Sequence, residues 1–301
     1  MSTHPRRPVT FCGLELAHRV INGSGTYDAI AARRAFGDVL LERFPFSAFV
    51  SKTITLEPRA GNPPPRLWET PAGLINSIGL PNRGLDGYLA EDLPELARLP
   101  VPLITNVMGS TAEQIAALVE AVDARAEVAA IELNVSCPNV RTGLDIGADP
   151  RELEAVVAHV RGRTGKPLIV KLTPNAADPP AAAQAAEAAG ADAVSLINTL
   201  RAYAPHPRAP ERPWLGGGTG GMSGPAVRAV ALAQVRAVAR RVAIPLIGMG
   251  GVQTGRHALQ FLEAGATLVA VGTESFRDAA AGERIAAELG DLSAKSGNIA
   301  A

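Results

Sequence analysis

The sequence predicts a (β/α)8 TIM barrel formed by residues 1–301 as a single domain. Three observations indicate this fold: strand-like apolar runs recur along the chain, amphipathic helical segments separate the later runs, and polar residues stand where the runs stop. An open doubly wound sheet would usually contain fewer strands, and one α/β barrel routinely reaches this length. The eight predicted strands lie near residues 19–22, 48–52, 103–107, 129–134, 168–172, 193–197, 245–249 and 268–271.

A small hairpin is predicted before the first barrel strand. Val9-Thr-Phe11 and Leu14-Glu-Leu16 flank Gly13, a pattern typical of two short strands joined by a tight turn. We expect this hairpin to close the bottom of the barrel. Cys12 lies in the turn and is interpreted as a small, buried residue without a functional role.

Helix boundaries recur between the later strands. The segments Ser110-Thr-Ala-Glu113 and Asp149-Pro-Arg-Glu152 each place a capping side chain three residues before a glutamate, which predicts a helix start. Asp178, followed by two prolines, indicates a third start. Gly190 and Gly265 each precede a strand, as expected where a glycine ends a helix in a left-handed conformation.

Composition excludes several classes of partner. The 29 basic and 29 acidic residues cancel, so no overall charge favours nucleic acid or an anionic membrane. No run of about 18 apolar residues predicts a membrane span, and no secretory signal opens the chain, so a cytoplasmic location is expected. Cys12 and Cys137 are the only cysteines, which excludes a disulfide framework and an iron-sulfur cluster held by this chain alone.

The ends of the predicted strands carry the candidate functional residues. In a barrel of this type the reactive groups stand at the carboxyl ends of the strands. Any one of these polar residues could simply cap a strand, but their recurrence favours a site. They are Asn22, Ser24, Lys52, Thr53, Asn106, Asn134, Lys171, Asn198 and Thr199.

Glycines after the last two strands indicate a phosphate site. Gly250 and Gly251 follow the seventh strand, Gly272 and Thr273 follow the eighth, and the loops at these two places commonly hold phosphate in such barrels. The run at residues 216–221 also matches G-x-G-x-x-G, but no strand precedes it, so it does not predict a nicotinamide fold. We expect this run instead to let the backbone approach a flat cofactor, before a helix that starts near Pro225.

Cys137 is the candidate general base. It follows a buried strand that ends in the polar sequence Asn134-Val-Ser-Cys-Pro-Asn139, on a loop that can close over a ligand. No histidine motif accompanies it, as a nucleophilic hydrolase would require. A thiol with a pKa of about 8.5 predicts activity that rises toward alkaline pH.

Two motifs carry a resemblance to a known family. Residues 134–140, Asn-Val-Ser-Cys-Pro-Asn-Val, and residues 76–82, Asn-Ser-Ile-Gly-Leu-Pro-Asn, resemble the class 1 dihydroorotate dehydrogenases, flavin enzymes of pyrimidine synthesis. The resemblance covers most of the chain. It implies one FMN across the barrel mouth with dihydroorotate stacked on it. Cys137 would remove a proton from C5 while a hydride passes from C6 to flavin N5, which yields orotate.

The resemblance also implies the residues of the site. Lys171 would lie beside the pyrimidine edge of the flavin, where a fixed cation stabilises the anion formed on reduction, and Lys52 would lie between substrate and flavin. The expected substrate-binding residues are Lys52, Asn76, Ser77, Ile78, Gly79, Leu80, Asn134, Asn198 and Thr199. The expected cofactor-binding residues are Ser24, Lys52, Thr53, Asn106, Asn134, Lys171, Ile197, Gly224, Gly250, Gly251, Gly272 and Thr273, and no metal ligand is expected.

Within class 1, residues 139–143 and the segment Gly79-Leu-Pro-Asn-Arg-Gly84 resemble type B, which passes electrons to NAD. A partner subunit would then hold FAD and a [2Fe-2S] cluster, as a heterotetramer with a homodimer of this chain. The fumarate-reducing homodimers of type A remain the alternative. Two departures bear on the choice: residues 202–213 are proline-rich, and Glu274 places an acid next to the expected phosphate.

Two further alternatives stay open from the residues. A dihydropyrimidine dehydrogenase would share the cysteine and the flavin, but it usually brings cluster cysteines that this chain lacks. A flavin-free barrel would bind a phosphorylated metabolite and act as a lyase, an isomerase or a binding protein, with Lys171 as an amine nucleophile.

Overall fold

The computed structural model describes residues 8–135 and 146–296, and Cys137 lies outside them. The strands are β1 (Val9–Phe11), β2 (Leu14–Leu16), β3 (Val20–Asn22), β4 (Phe49–Val50), β5 (Leu67–Thr70), β6 (Gly73–Asn76), β7 (Leu103–Val107), β8 (Val128–Asn134), β9 (Leu168–Lys171), β10 (Ala193–Leu196), β11 (Leu200–Ala202), β12 (Pro205–His206), β13 (Ala209–Pro213), β14 (Gly220–Ser223), β15 (Leu246–Met249) and β16 (Leu268–Val271). The helices are α1 (Ala29–Phe36), α2 (Val39–Glu42), α3 (Gly84–Gly87), α4 (Leu93–Leu96), α5 (Ala112–Asp123), α6 (Pro150–Arg161), α7 (Pro179–Ala188), α8 (Arg228–Ala239), α9 (Gly255–Glu263) and α10 (Ala281–Ser296).

Eight parallel strands form the barrel, in the order β3-β16-β15-β10-β9-β8-β7-β4, with helices between them. The predicted (β/α)8 barrel is therefore confirmed, and every predicted strand overlaps an observed one. Apolar side chains pack on both faces of the sheet. Those on the outer face contact the helices, and those on the inner face contact one another in the barrel interior. None of the described helices has the length and apolar composition needed to cross a membrane.

Asn22 joins the two edge strands of this sheet. Its side-chain Oδ1 accepts from the Val50 N–H at 2.8 Å, and its Nδ2 donates to the Val50 carbonyl at 2.8 Å. Ser47 N–H also donates to the Val20 carbonyl at 3.0 Å. The amide of Asn22 thus replaces a peptide group in the ladder between β3 and β4. Among the polar residues at strand ends, Asn22 therefore stabilises the barrel instead of lining a site.

The predicted hairpin is present as β1 and β2, paired antiparallel from Val9 with Leu16 to Phe11 with Leu14. Phe11 and Leu16 are buried in the cluster that fills the barrel interior. Cys12 is only partly buried, and its Sγ donates to the Asp192 carbonyl at 3.5 Å. Burial and the Asp192 carboxylate raise the pKa of this thiol to about 11, so it stays protonated and unreactive near neutral pH.

The helix signals hold with one shift of register. Asp149 and Asp178 accept from the backbone N–H groups of Arg151 and Ala181, as the sequence predicts. At the start of α5 the capping residue is Thr111, not Ser110, and Gln114 reaches back to the Ser110 N–H at 2.9 Å. Thr111 and Gln114 have the same three-residue spacing as Ser110 and Glu113, so both pairs fit the capping pattern; here Thr111 Oγ1 accepts from the Gln114 N–H at 3.3 Å. Gly190 and Gly265 take positive φ values of 92° and 111°, as expected.

A second, antiparallel sheet stands at the carboxyl end of the barrel, in the order β11-β14-β6-β5. Met222 pairs with Ile75 and Gly221 pairs with Asn76, so β6 and β14 run side by side above the strand ends. The glycines of residues 216–221 serve this packing. A Cβ on Gly216 would meet the Pro63 carbonyl oxygen at 2.0 Å, and one on Gly221 would meet the Thr199 Oγ1 at 2.0 Å. These glycines approach protein atoms, whereas the sequence predicts an approach to a cofactor.

Candidate active site

A cavity of about 620 Å³ opens at the carboxyl ends of the barrel strands. Asn134 ends β8, Lys171 ends β9 and Met249 ends β15, and all three line the cavity. The antiparallel sheet supplies another wall through Asn76 and Ser223. The cavity is therefore formed between strand ends and the second sheet, where the barrel fold places reactive groups.

Two lysines give the cavity a positive wall. The Lys171 residue is only 6% exposed, and Lys52 lines the same cavity. Burial and the charge of Lys171 lower the pKa of Lys52. Within residues 8–135 and 146–296, neither lysine forms an ion pair with a carboxylate. Two neighbouring cations without an acid suit a ligand that is anionic or becomes so.

Amide side chains stand beside the lysines. Asn134 and Lys171 are register partners on β8 and β9, and Asn198 Nδ2 lies 3.4 Å from Asn134 Oδ1. Asn198 Oδ1 also accepts from the Thr199 N–H at 2.9 Å, which orients its amide. Asn76 Nδ2 donates to the Gly221 carbonyl at 3.1 Å, from the opposite wall. These groups can donate and accept hydrogen bonds around the edge of a flat polar ring.

The loop that follows β6 has an unusual backbone. Leu80 takes a φ of 55°, which non-glycine residues rarely adopt, next to Gly79 at a φ of 75°. The Asn82 side chain holds this turn, since its Nδ2 donates to the Leu80 carbonyl at 2.9 Å and its Oδ1 accepts from the Gly84 N–H at 2.8 Å. Leu80 lines the cavity, so Asn82 fixes a piece of its wall without lining it.

Small residues shape the other end of the cavity. Gly224, Gly250 and Gly251 have φ values of 91°, 132° and 72°, and a Cβ on Gly251 would meet the Gly224 carbonyl oxygen at 2.7 Å. Thr273 Oγ1 donates to Ser223 Oγ at 2.9 Å. Glycine backbone and two hydroxyls thus line this end, as in sites that surround a phosphate with N–H and O–H donors.

Glu274 is neutralised from behind. Its carboxylate accepts from Arg284 Nη2 at 3.1 Å, and the Glu274 side chain is 13% exposed. The sequence places this acid beside an expected phosphate, where its charge would be unfavourable. The ion pair with Arg284 on α10 reduces that effect, because a paired carboxylate repels a nearby anion less than a free one.

Most of the predicted site residues meet in this one cavity. The structure brings together Ser24, Lys52, Thr53, Asn76, Ser77, Ile78, Gly79, Leu80, Asn134, Lys171, Ile197, Asn198, Thr199, Gly224, Gly250, Gly251, Gly272 and Thr273. Cys137, predicted to be the base, lies outside the described residues.

Asn106, like Asn22, is a predicted residue that does not line the cavity. It is fully buried behind the wall, and its Nδ2 donates to Glu132, whose other oxygen accepts from Ser195 Oγ at 2.7 Å. A buried carboxylate requires hydrogen-bond donors, so the Asn106 amide contacts Glu132 instead of the cavity. Asn106 Oδ1 has no hydrogen-bond partner among the described residues.

Several residues that line the cavity were not predicted from the sequence. Arg59 and Asn62 come from the loop before β5, where Asn62 Nδ2 donates to Ser77 Oγ at 3.0 Å. Their signal was polar residues set among glycine and prolines in a stretch without a strand or helix pattern. The apolar members had no local signal. The residues missed are Gly23, Gly25, Thr26, Arg59, Asn62, Leu67, Leu74, Met108, Met222, Ser223, Val227, Met249 and Phe276.

Comparison with known proteins identifies the family of this chain. The family profile described as dihydroorotate dehydrogenase matches residues 7–292. The chain is 44% identical over 295 residues to a protein of Geotalea daltonii, covering 97% of this chain and 95% of that one. It is 47% identical over 284 residues to a protein of Pelobacter propionicus, covering 94% and 91%.

Both relatives are named dihydroorotate dehydrogenase B (NAD(+)), catalytic subunit, as is a protein of Desulforudis audaxviator that is 46% identical over 285 residues, 93% of this chain and 90% of that one. The match spans nearly the whole length of each relative, so it includes every element that forms the cavity. The chain therefore belongs to the dihydroorotate dehydrogenase family.

Proposed function

We propose that this chain is the catalytic subunit of an NAD-linked dihydroorotate dehydrogenase, which oxidises dihydroorotate to orotate in pyrimidine biosynthesis. One observation carries the proposal: in a chain of this family, two lysines without acidic partners among the described residues face a cavity edged by asparagines. Dihydroorotate is an anionic ring with amide groups, which matches cations and side-chain amides.

FMN fits the residues that line the cavity. Lys171 is nearly buried and without a carboxylate partner in the described chain, so it can stabilise negative charge on a bound ring. Gly250, Gly251, Gly272 and Thr273 would hold the phosphate at the far end. When bound, FMN would supply the acceptor for the hydride that the substrate loses.

The chain's own residues would orient the substrate. Asn76, Asn134 and Asn198 offer donors and acceptors to the ring, and Lys52 offers a cation to the carboxylate. The loop at Leu80 would exclude water from one side. Bound in this way, the substrate keeps one orientation toward the groups that react with it.

Cys137 is proposed as the base that removes the C5 proton. It stands three residues after Asn134 in the sequence, beyond the last described residue of that strand. A thiol with a pKa near its ordinary value of about 8.5 is partly ionised at neutral pH, and its thiolate can take a proton.

The relatives' name implies that a second subunit completes the enzyme. We propose that a partner holding FAD and a [2Fe-2S] cluster carries electrons to NAD, on a homodimer of this chain. The alternative is a homodimer of this chain that passes the electrons to fumarate. The cytoplasmic location and the single domain of residues 1–301 stay predictions.

The proposal is tested by anaerobic reduction. Purified protein is mixed with dihydroorotate, and the absorbance of the bound flavin is followed. Bleaching by dihydroorotate but not by dihydrouracil supports the proposal, and bleaching by dihydrouracil alone would favour a dihydropyrimidine dehydrogenase. NAD, supplied with the partner subunit, and fumarate are then compared as reoxidants.

A protein that takes up no FMN would contradict the proposal. Borohydride trapping of a Schiff base between Lys171 and a carbonyl substrate would then favour the flavin-free barrel.

A further inference from the structure

We propose that Arg284, on α10 and outside the cavity, is a positioning residue that sets the affinity for the FMN phosphate. It does so by holding together the two loops expected to bind that phosphate. This inference rests on the proposed function, since it concerns the same cofactor. Arg284 does not line the cavity, so it acts only through the residues it holds.

The first loop follows β15 and is fixed at Gln253. Arg284 Nη1 donates to the Gln253 carbonyl at 3.0 Å, while the Gln253 N–H donates to His257 Nδ1 at 3.3 Å. Two residues earlier, Gly251 lines the cavity. A loop held at both polar groups of Gln253 presents its preceding glycines in one conformation.

The second loop follows β16 and is fixed at Glu274. Arg284 Nη2 donates to Glu274 Oε1 at 3.1 Å, and Glu274 Oε2 lies 3.4 Å from Gln253 Nε2. Glu274 comes directly after Thr273, whose hydroxyl lines the phosphate end. One guanidinium therefore joins both loops, a geometry for which its planar fork of donors is suited.

Arg284 also controls charge at this end of the cavity. Its guanidinium contacts the carboxylates of Asp278 at 3.0 Å and Glu288 at 3.3 Å as well as that of Glu274. Without Arg284, the Glu274 carboxylate would remain partly buried beside Thr273 and would have no ion-pair partner among the residues that the structure describes. A phosphate dianion bound there would then be repelled.

The loop conformation and the charge of Glu274 should both affect the binding of the phosphate and leave the binding of the flavin ring unchanged. The lysines and asparagines that would contact the flavin ring and the substrate have no contact with Arg284 in the described structure. Riboflavin, which is FMN without its phosphate, separates the two ends of the site. Loss of Arg284 is expected to weaken the binding of FMN and to spare that of riboflavin.

The experiment measures dissociation constants of the apoprotein for FMN and riboflavin by flavin fluorescence. Arg284→Met is expected to weaken FMN binding by about tenfold, the factor by which affinity falls if only about one protein molecule in ten keeps both loops in the binding conformation. Riboflavin binding should change by less than about twofold. Arg43→Met is the matched control, because it removes an arginine paired at 2.6 Å with Glu283 on the same helix. It should leave both constants unchanged.

Two more variants separate the effect of loop geometry from the effect of charge. Adding Glu274→Gln to Arg284→Met is expected to recover part of the FMN affinity, and no recovery would overturn the charge argument. Arg284→Lys, which keeps the charge but not the fork, should fall between wild type and Arg284→Met.

Equal losses for FMN and riboflavin, or no loss for either, would overturn the inference. A wild-type protein that binds neither flavin would instead contradict the proposed function.

Discussion

Asn82 tests whether the strained loop at Leu80 forms part of the substrate site. In Asn82→Ala, the bond from Asn82 Nδ2 to the Leu80 carbonyl is lost, together with the bonds to the Gly84 N–H and to Thr55. We expect Leu80 to leave its φ of 55°, because only the surrounding contacts hold a leucine there.

The magnitude follows from the cost of that conformation. A left-handed backbone costs a non-glycine residue about 1–2 kcal/mol, which the Asn82 bonds offset. Once they are lost, the competent loop is populated about 5- to 30-fold less, and the apparent affinity falls by the same factor. The KM for dihydroorotate should rise accordingly while bound FMN is retained, which steady-state kinetics and flavin absorbance measure together.

Three variants show whether Leu80 is the cause. Adding Leu80→Gly to Asn82→Ala should recover most of the lost affinity, because glycine adopts this φ without the same cost. Asn82→Asp keeps the acceptor for the Gly84 N–H but cannot donate to the Leu80 carbonyl, so it should resemble Asn82→Ala. Thr55→Val removes another bond of Asn82 and should have little effect on KM. The reasoning is refuted if Asn82→Ala leaves KM unchanged, or if Leu80→Gly recovers nothing.

Four further predictions concern single residues. Asn22→Leu removes two buried hydrogen bonds between β3 and β4, so urea denaturation should show that the free energy of unfolding falls by about 2–6 kcal/mol. A fall below about 1 kcal/mol would argue against a stabilising role for these two bonds. The pKa of Lys52 is lower in the folded protein, so the free energy of unfolding of the wild-type apoprotein should rise relative to that of Lys52→Met as pH rises toward the ordinary pKa of 10.5. Parallel curves of unfolding free energy against pH for the two proteins would exclude this linkage. Gly251→Ala places a Cβ 2.7 Å from the Gly224 carbonyl at a φ of 72°, so purified protein should carry little FMN by absorbance. Cys137→Ala should keep FMN yet lose turnover, whereas wild-type kcat should rise with pH toward about 8.5; turnover in Cys137→Ala would exclude this base.

Barrel strands and helix starts were predictable because their signals are local. An apolar run long enough to span the barrel predicts a buried strand whatever follows it, and Asp149 or Asp178 caps its helix through contacts within three residues. The register error at α5 arose because two adjacent residues, Ser110 and Thr111, each fit the capping pattern. Local chemistry alone could not choose between them.

The candidate site was only partly predictable. Lys52, Asn134 and Lys171 stand at strand ends, and the barrel rule places all strand ends on one face. Asn22 obeys the same rule, yet its amide joins β3 to β4. Asn106 is drawn to the buried Glu132, 26 residues away in the chain. Whether a polar side chain faces a ligand or another strand depends on neighbours that no local pattern contains.

The sequence by itself determined the barrel, its hairpin and the motifs that resemble the family, since these depend on residue type and short spacing. Only the tertiary structure decided how the second sheet forms a wall of the cavity, how Asn82 holds Leu80, and how Arg284 joins the loops after β15 and β16. Each of these contacts either joins segments distant in the chain or depends on a backbone angle that appears only after the loop has closed. Their physical basis is the packing of elements against one another, which sets distances and charges that residue order alone leaves open.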